Sequence, residues 1–215
     1  MSRYKYVLFD LDGTLTDSGP GIVNAFSYAI SKMGDEVKDK EQLKKFVGPP
    51  LRDSFERVLG YSPEDTVKAI AFYREYYNGM GGNLENMVYP GIEELLVNLK
   101  NAGKTLIVAT SKSEYGTNVV LEHFGLRRFF DFVATANDTD REHKSDVIRY
   151  AIKECGIQNL DDAVMVGDRE NDVSAAGEVG LDSIGVLYGY GDEAELTGAG
   201  ATYLAKAAKD IEALV

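Results

Sequence analysis

Residues 4–18 read YKYVLFDLDGTLTDS, and the rest of the chain is best interpreted from this stretch outward. The apolar run Tyr6–Phe9 predicts a short strand that is buried on both faces. The strand ends in Asp10 and Asp12, and open α/β sheets bind their ligands at the carboxyl ends of their strands. One carboxylate there can act as a nucleophile while the other moves protons, and a divalent cation would relieve their repulsion. The alternative, a polar strand end with two solvated acids, is disfavoured by the apolar run before them and Gly13-Thr14 after them.

The composition disfavours several classes of function. The chain has 215 residues, with 23 Lys and Arg against 35 Asp and Glu, and its formal net charge is −12. Such an acidic protein is poorly suited to a nucleic acid polymer or an anionic membrane, because nothing offsets the repulsion from phosphate. Cys155 is the one cysteine, so no internal disulfide can form, and no apolar run is long enough for a signal peptide or a membrane span. We therefore expect a cytoplasmic protein with a small-molecule ligand, and the composition leaves monomer and homodimer open.

The order of apolar runs predicts the fold class. Strand-like runs alternate with helical periodicity after residue 88, which predicts a doubly wound α/β domain with a parallel, Rossmann-like sheet of five or more strands. Residues 18–87 show only helical periodicity and are far too long for an ordinary connection. We therefore expect a catalytic core of residues 1–17 and 88–215 and an inserted all-helical domain of residues 18–87. The strands are predicted at residues 6–9, 105–109, 129–134, 163–166 and 183–187, and a closing helix at 205–214.

Polar side chains follow other predicted strands and suit phosphate chemistry. Thr110, Ser111 and Lys112 follow the second strand, where a hydroxyl can bind a phosphate oxygen or cap the next helix. Lys144 opens a helix, where the helix dipole disfavours a cation, so its ammonium either serves another group or is simply solvated. Residues 167–172, GDREND, follow the fourth strand, and acids at this spacing suit a hard cation.

The helical insert carries a basic patch on an otherwise acidic protein. Residues 44–52 read KKFVGPPLR, a rigid Gly-Pro-Pro turn with cations on both sides. This turn is suited to contacting the part of a substrate beyond its phosphate, and an interhelical turn with solvated charges is the equally weighted alternative. The candidates for substrate binding are Lys45, Gly48 and Arg52 in the insert, and Ser111 and Lys112 in the core.

Four stretches, in order, resemble the motifs of the haloacid dehalogenase superfamily of phosphohydrolases. Residues 10–14, DLDGT, resemble the first motif, Thr110 the second, Lys144 the third and residues 167–172 the fourth. The proline that often follows the motif lysine in related enzymes is absent here. The helical insert resembles the cap of these phosphatases, which closes over the active site and selects the substrate. The resemblance implies a phosphoric monoester hydrolase.

The resemblance also implies a role for each motif residue. Asp10 attacks phosphorus and forms an aspartyl-phosphate, and Asp12 is the acid and base. Magnesium is held by Asp10, Asp168 and the backbone carbonyl of Asp12, with Asp172 in support. Magnesium is favoured over zinc because these ligands are all oxygens and no Cys or His accompanies them. The residues that neutralise the phosphoryl oxygens are Thr110 and Lys144.

Longer stretches narrow the implied substrate. Among them, KFVGPPLRDSF, VYPGIEELL and IGVLYGYGDEAEL resemble bacterial family members named 5′-nucleotidase, which are close to phosphoglycolate phosphatases. A 5′-nucleotidase is therefore expected first, and a phosphoglycolate phosphatase, a phosphomutase and a pyrophosphatase stay open. A dehalogenase would not need Asp12 as its acid and base. A non-catalytic binding protein on the same fold would not need the complete set of charged motif residues, each of which is costly to bury.

Overall fold

The computed structural model describes residues 3–137 and 139–215. The chain forms two compact units, of which the first comprises Met1–Asp17 and Val88–Val215 and the second comprises Ser18–Met87. Within the described ranges, no helix combines the length and the apolar character that a membrane crossing requires.

The first unit is built on one sheet of six parallel strands in the order β3-β2-β1-β4-β5-β6. The predicted α/β class with a Rossmann-like parallel sheet is thereby confirmed. The strands are β1 (Tyr6–Phe9), β2 (Thr105–Ser113), β3 (Phe132–Ala136), β4 (Ala163–Gly167), β5 (Asp182–Val186) and β6 (Tyr203–Ala205).

Nine α-helices occur in the described part of the chain. Those of the second unit are α1 (Gly19–Lys32), α2 (Leu51–Asp53) and α3 (Pro63–Arg74). Those of the first unit are α4 (Ile92–Asn101), α5 (Glu114–His123), α6 (Lys144–Glu154), α7 (Glu170–Val179), α8 (Glu193–Gly198) and α9 (Ala208–Leu214). Short 3₁₀ segments span Lys40–Phe46, Gly82–Leu84, Arg127–Phe129 and Leu160–Asp162, and π-helical turns span Ser54–Val58 and Glu75–Gly79.

Several boundaries differ from the sequence prediction, and the reasons are local. β2 runs on to Ser113 instead of ending at residue 109, with a register shift against β3 between Thr110 and Ser113. β3 begins at Phe132 and not at residue 129, because Arg127–Phe129 forms a 3₁₀ turn. The closing helix predicted at 205–214 begins only at Ala208, because the preceding residues form β6 and pair with β5.

The position of β1 in the sheet fixes where the site lies. β1 lies between β2 and β4, and Phe9 at its end is in register with Val108 on one side and Val166 on the other. The Asp10 N–H donates to the Val166 carbonyl at 2.9 Å, which extends the pairing one residue further. Both faces of this central strand are covered by apolar residues, so Val7, Leu8 and Phe9 are fully buried and Tyr6 is partly buried. The polar residues at the carboxyl ends of β1, β2 and β4 therefore meet at one end of the sheet.

The second unit packs around an aromatic cluster. The ring of Phe26 on α1 lies 4.8 Å from that of Phe46, 5.0 Å from that of Phe55 and 5.0 Å from that of Tyr73, measured between centroids. Tyr73 stacks on Tyr77 at 5.3 Å, and both are buried. Tyr73 in α3 and Tyr77 in the turn after it thus belong to the core of this unit.

Candidate active site

Three buried carboxylates meet at the carboxyl end of the sheet. Asp10 follows β1, Asp168 follows β4, and Asp172 lies in the first turn of α7. One carboxylate oxygen from each lies within 4.8 Å of the others, and none of the three residues is more than 4% exposed. The set offers oxygen ligands only, which is the donor chemistry that a hard divalent cation requires. The structure therefore holds an acidic triad that could bind a metal ion.

Lys144 is buried among these carboxylates. It is the first residue of α6, and its Nζ lies 2.6 Å from Asp10 Oδ1 and 2.7 Å from Asp172 Oδ1. Burial works against its charge, but the attraction of the two carboxylates outweighs burial, so the pKa of Lys144 lies above the ordinary lysine value. The cation that the helix dipole disfavours at this position is thus retained by two carboxylates from other parts of the chain.

The triad holds more negative charge than Lys144 neutralises. Burial raises the pKa of Asp10 to about 6; Lys144 opposes this rise and Asp172 adds to it. Burial also raises the pKa of Asp168 well above its ordinary value, and the charges of Asp172 and Asp10 act in the same direction. Three carboxylates and one ammonium leave two negative charges when all are ionised, which matches the charge of a divalent cation. The residues present therefore fit Mg²⁺.

Backbone and glycine contacts fix the carboxylate of Asp168. The Tyr190 N–H donates to Asp168 Oδ2 at 2.8 Å, and the Thr14 hydroxyl donates to Asp168 Oδ1 at 3.3 Å. A Cβ at Gly13 would lie 2.2 Å from Asp168 Oδ2, and a Cβ at Gly189 would lie 2.3 Å from Asp168 Cβ. The loop after β5 must therefore carry glycine at position 189 for the backbone to approach the carboxylate this closely.

This loop was not identified as part of the site from the sequence. Gly189 and Gly191 read as turn residues after a strand, and the structure packs both against Asp168, whose carbonyl accepts from the Gly191 N–H at 3.1 Å. The signal available in the sequence was the GYG stretch at residues 189–191 after the fifth strand, but nothing in it indicated which residue it contacts.

Asp12, the predicted acid and base, has a buried cationic partner. Its two carboxylate oxygens lie 3.0 and 2.9 Å from Nζ of Lys112, and the side chains are 11% and 8% exposed, respectively. The sequence predicts Lys112 as a substrate-binding residue; the structure places its ammonium against Asp12, and the substrate-binding role stays a prediction. The pair lies beside the triad because Asp10 and Asp12 share one loop.

The hydroxyls in the last residues of β2 differ in their contacts. Ser113, and neither Thr110 nor Ser111, caps α5 by accepting from the Gly116 N–H at 3.4 Å. Thr110 is buried, and its Oγ1 accepts from the Lys112 N–H at 3.2 Å. Ser111 is half-buried. Thr110 therefore lies in β2 two residues beyond Val108, the last residue in register with β1, and its phosphate-binding role stays a prediction.

The predicted cap residues belong to the second unit, where they make local contacts. Nζ of Lys45 lies 5.3 Å from the centroid of the Phe46 ring, and Arg52 forms an ion pair with Glu56 at 2.9 Å, one turn along the chain. Gly48 has a φ of +99° and is half-buried. These contacts account for the local conformation of the patch, and its role in substrate selection stays a prediction.

Comparisons with known proteins identify the family of the chain. Residues 7–186 match the model of the haloacid dehalogenase-like hydrolase family. A 5′-nucleotidase of Pseudomonas aeruginosa is 38% identical over 195 residues, which are 90% of this chain and 87% of that protein. The tyrosine-protein kinase PtkA of Mycobacterium tuberculosis is 40% identical over 87% of this chain, which spans only 63% of that protein.

A solved structure shares the whole architecture. The crystal structure described as a predicted phosphatase from Clostridium acetobutylicum matches with a TM-score of 0.94 and 46% sequence identity. The match covers 99% of this chain and 98% of the Clostridium chain. The six-stranded parallel sheet, the buried residues of all four motifs and these similarities lead to one assignment. The chain belongs to the haloacid dehalogenase-like hydrolase family, and it is a phosphatase of that family.

Proposed function

We propose that this chain is a magnesium-dependent phosphomonoesterase that acts through an aspartyl-phosphate on Asp10, with nucleoside 5′-monophosphates as its substrates. The observation that carries the proposal is the buried triad of Asp10, Asp168 and Asp172 around Lys144. Such a cluster destabilises the fold unless a bound cation neutralises its excess negative charge, so it is best explained by catalysis.

Each charged residue of the triad has a place in this proposal. Asp10, Asp168 and the backbone carbonyl of Asp12 hold Mg²⁺, and Asp172 supports the site through its 2.7 Å contact with Lys144. When bound, Mg²⁺ neutralises a phosphoryl oxygen and orients the ester for in-line attack. Lys144 and the Thr110 hydroxyl bind the other phosphoryl oxygens, which neutralises the charge that Asp10 must approach.

The first half of the reaction transfers the phosphoryl group to the protein. A carboxylate oxygen of Asp10 attacks phosphorus, the bond between phosphorus and the ester oxygen breaks, and the electron pair leaves with that oxygen. Asp12, in its protonated form, donates its proton to the departing oxygen, so the product is a neutral alcohol. The products of this half are the alcohol, an aspartyl-phosphate at Asp10 and the carboxylate of Asp12.

The second half returns the enzyme to its starting state. The carboxylate of Asp12 accepts a proton from water as the water oxygen attacks phosphorus. The bond between phosphorus and the Asp10 oxygen breaks, which regenerates the Asp10 carboxylate and releases inorganic phosphate. Asp12 is again protonated and ready for the next ester.

The proposed substrate class rests on sequence similarity, and the second unit is proposed to select the substrate. The 5′-nucleotidase of Pseudomonas aeruginosa and the motif stretches both favour a nucleotide. In this proposal Met1–Asp17 with Val88–Val215 is the catalytic core, and Ser18–Met87 is a cap that selects the substrate. The residues proposed to contact the substrate beyond its phosphate are Lys45, Gly48, Arg52 and Ser111.

A second candidate transfers the phosphoryl group to a hydroxyl other than that of water. The similarity to a protein named tyrosine-protein kinase favours testing this outcome, because both reactions share the first half. The two differ only in which acceptor reaches the aspartyl-phosphate.

Phosphate release from a panel of esters tests the proposal. With Mg²⁺, we expect release from nucleoside 5′-monophosphates to exceed release from phosphoglycolate, sugar phosphates and pyrophosphate, and Asp10→Asn to abolish all of it. Preference for phosphoglycolate would replace the proposed substrate, and a phosphorylated product without phosphate release would identify a transferase. Absence of any turnover would contradict the proposal itself.

A further inference from the structure

The ion pair between Lys112 and Asp12 is built into the fold in a way that substrate binding alone does not require. Nζ of Lys112 contacts both carboxylate oxygens of Asp12, at 3.0 and 2.9 Å, and both side chains are nearly buried. Two charges removed from water in this manner hold each other in one geometry, unlike an exposed pair with many equivalent arrangements. The lysine therefore restrains the orientation of the carboxylate that moves protons.

The backbone and the neighbouring helix prepare the position of Lys112. β2 continues past the end of β1, and its register shift against β3 falls between Thr110 and Ser113. The Lys112 N–H donates to Thr110 Oγ1 at 3.2 Å, which fixes the strand at the shift. On α5, a Cβ at position 116 would lie 3.2 Å from Lys112 Cε, so Gly116 leaves room for the aliphatic stem. Three separate features thus direct one lysine toward Asp12.

We propose that Lys112 is a positioning residue for Asp12, and this inference rests on the proposed hydrolase function. As Asp12 gives its proton to the departing oxygen, negative charge develops on the carboxylate within contact distance of the Lys112 ammonium. After that transfer Lys112 keeps its own proton and holds the carboxylate oriented for the attacking water. Lys112 forms no bond to phosphorus and contributes only through Asp12.

This role and a substrate-binding role make different predictions about leaving groups. An alkoxide, as released from a nucleoside 5′-monophosphate, needs a proton as it departs, whereas p-nitrophenolate is a stable anion that departs without one. General acid catalysis raises the rate about 10²–10⁴-fold when the leaving group needs a proton. Loss of a positioning residue for the acid therefore affects the alkyl ester selectively, whereas loss of a phosphate-binding cation weakens both esters equally.

The test compares Lys112→Met with the parent protein on a nucleoside 5′-monophosphate and on p-nitrophenyl phosphate, both with Mg²⁺. Because kcat/KM reports formation of the aspartyl-phosphate, we expect it to fall about tenfold or more for the nucleotide and less than about threefold for p-nitrophenyl phosphate. We also expect a burst of p-nitrophenol before steady state, since hydrolysis of the intermediate needs Asp12 as base. Lys112→Arg, which keeps the charge, is expected to recover part of the lost nucleotide activity.

Two comparisons separate positioning from a loss of structure. Lys104→Met removes another buried lysine of the first unit, whose Nζ donates to the Tyr4 carbonyl, and it is expected to leave the ratio of the two kcat/KM values unchanged. In an Asp12→Asn background, Lys112→Met is expected to have little further effect on the nucleotide, because Lys112 acts through Asp12.

Three outcomes overturn the inference alone, and a fourth overturns it together with the proposed function. Equal losses of kcat/KM on the two esters would make Lys112 a phosphate-binding residue. The same loss with and without Asp12 would show that the two act independently. Unchanged nucleotide turnover in Lys112→Met would leave Lys112 no role. If the parent protein hydrolyses neither ester, the proposed function fails, and the inference that rests on it fails too.

Discussion

Replacing Asp10 by asparagine is expected to abolish turnover and, at the same time, to stabilise the metal-free protein. The change removes one negative charge from the buried triad, and the asparagine carbonyl oxygen can still accept the hydrogen bond from Lys144. Burial raises the pKa of Asp10 from 3.8 to about 6, so the ionised form is disfavoured in the folded state. At about 1.4 kcal/mol per pKa unit, this shift corresponds to about 3 kcal/mol of unfolding free energy at pH 8.

The pH dependence follows from the sign of the shift. Above pH 6 Asp10 is ionised in both the folded and the unfolded chain, and the full penalty applies to the parent protein. As the pH falls through 6, the folded protein takes up a proton before the unfolded chain does, so the parent protein regains stability. Asparagine does not titrate, so the advantage of Asp10→Asn is expected to shrink to about half by pH 5.

Urea unfolding in EDTA, followed by circular dichroism at pH 8 and pH 5, measures this difference. Asp161→Asn, at an exposed position, serves as the matched control and is expected to change stability by less than about 0.5 kcal/mol. Added Mg²⁺ is expected to narrow the gap, because it binds the folded parent protein more tightly than the variant. An Asp10→Asn protein that is no more stable than the parent at pH 8 in EDTA would refute the reasoning that the triad holds excess negative charge.

The remaining predictions concern the groups around the triad. Lys144→Met leaves two buried carboxylates without their cation and is expected to lower the unfolding free energy by about 3–5 kcal/mol at pH 8. Urea unfolding measures this change, and an unchanged midpoint of the unfolding curve would contradict the role of Lys144. Gly189→Ala places a Cβ 2.3 Å from Asp168 Cβ and 2.4 Å from the Gly13 carbonyl oxygen, so calorimetry is expected to show weaker Mg²⁺ binding. Its matched control is Gly198→Ala, where a Cβ has nothing within 4 Å, and equal Mg²⁺ affinity in the two variants would rule out a role for the loop.

The sequence carried most of the information about the triad, because strand periodicity alone indicates where a parallel strand ends. Asp10 and Asp168 follow buried apolar runs, and the order of the sheet brings those runs together. For Lys144 the helix dipole left a solvated cation open, and its place in the order of the resembled family motifs favoured a role at the site. The inferences about Asp10 and Asp168 need only local patterns and the rule that ligands bind at carboxyl ends of strands.

Contacts that depend on irregular backbone could not be predicted in the same way. The approach of Lys112 to Asp12 follows from a register shift within β2, and residue types do not reveal such a shift. The packing of Gly189 against Asp168 is a property of a loop path. β6 has only three residues, too few for a periodic signal, and its pairing with β5 gives it strand structure beside an alanine-rich helix. Tertiary context decides all three cases.

Covalent modification of Asp10 during turnover tests the central proposal most directly. The protein is mixed with substrate and Mg²⁺, quenched in acid and treated with borohydride, which reduces an aspartyl-phosphate to homoserine, and the modified position is located by peptide mass spectrometry. Asp12→Asn with p-nitrophenyl phosphate is expected to accumulate more of the intermediate, because hydrolysis of the intermediate needs Asp12. We predict homoserine at position 10, dependent on substrate and Mg²⁺. Phosphate release without modification at position 10, or with modification at another carboxylate, would contradict the account.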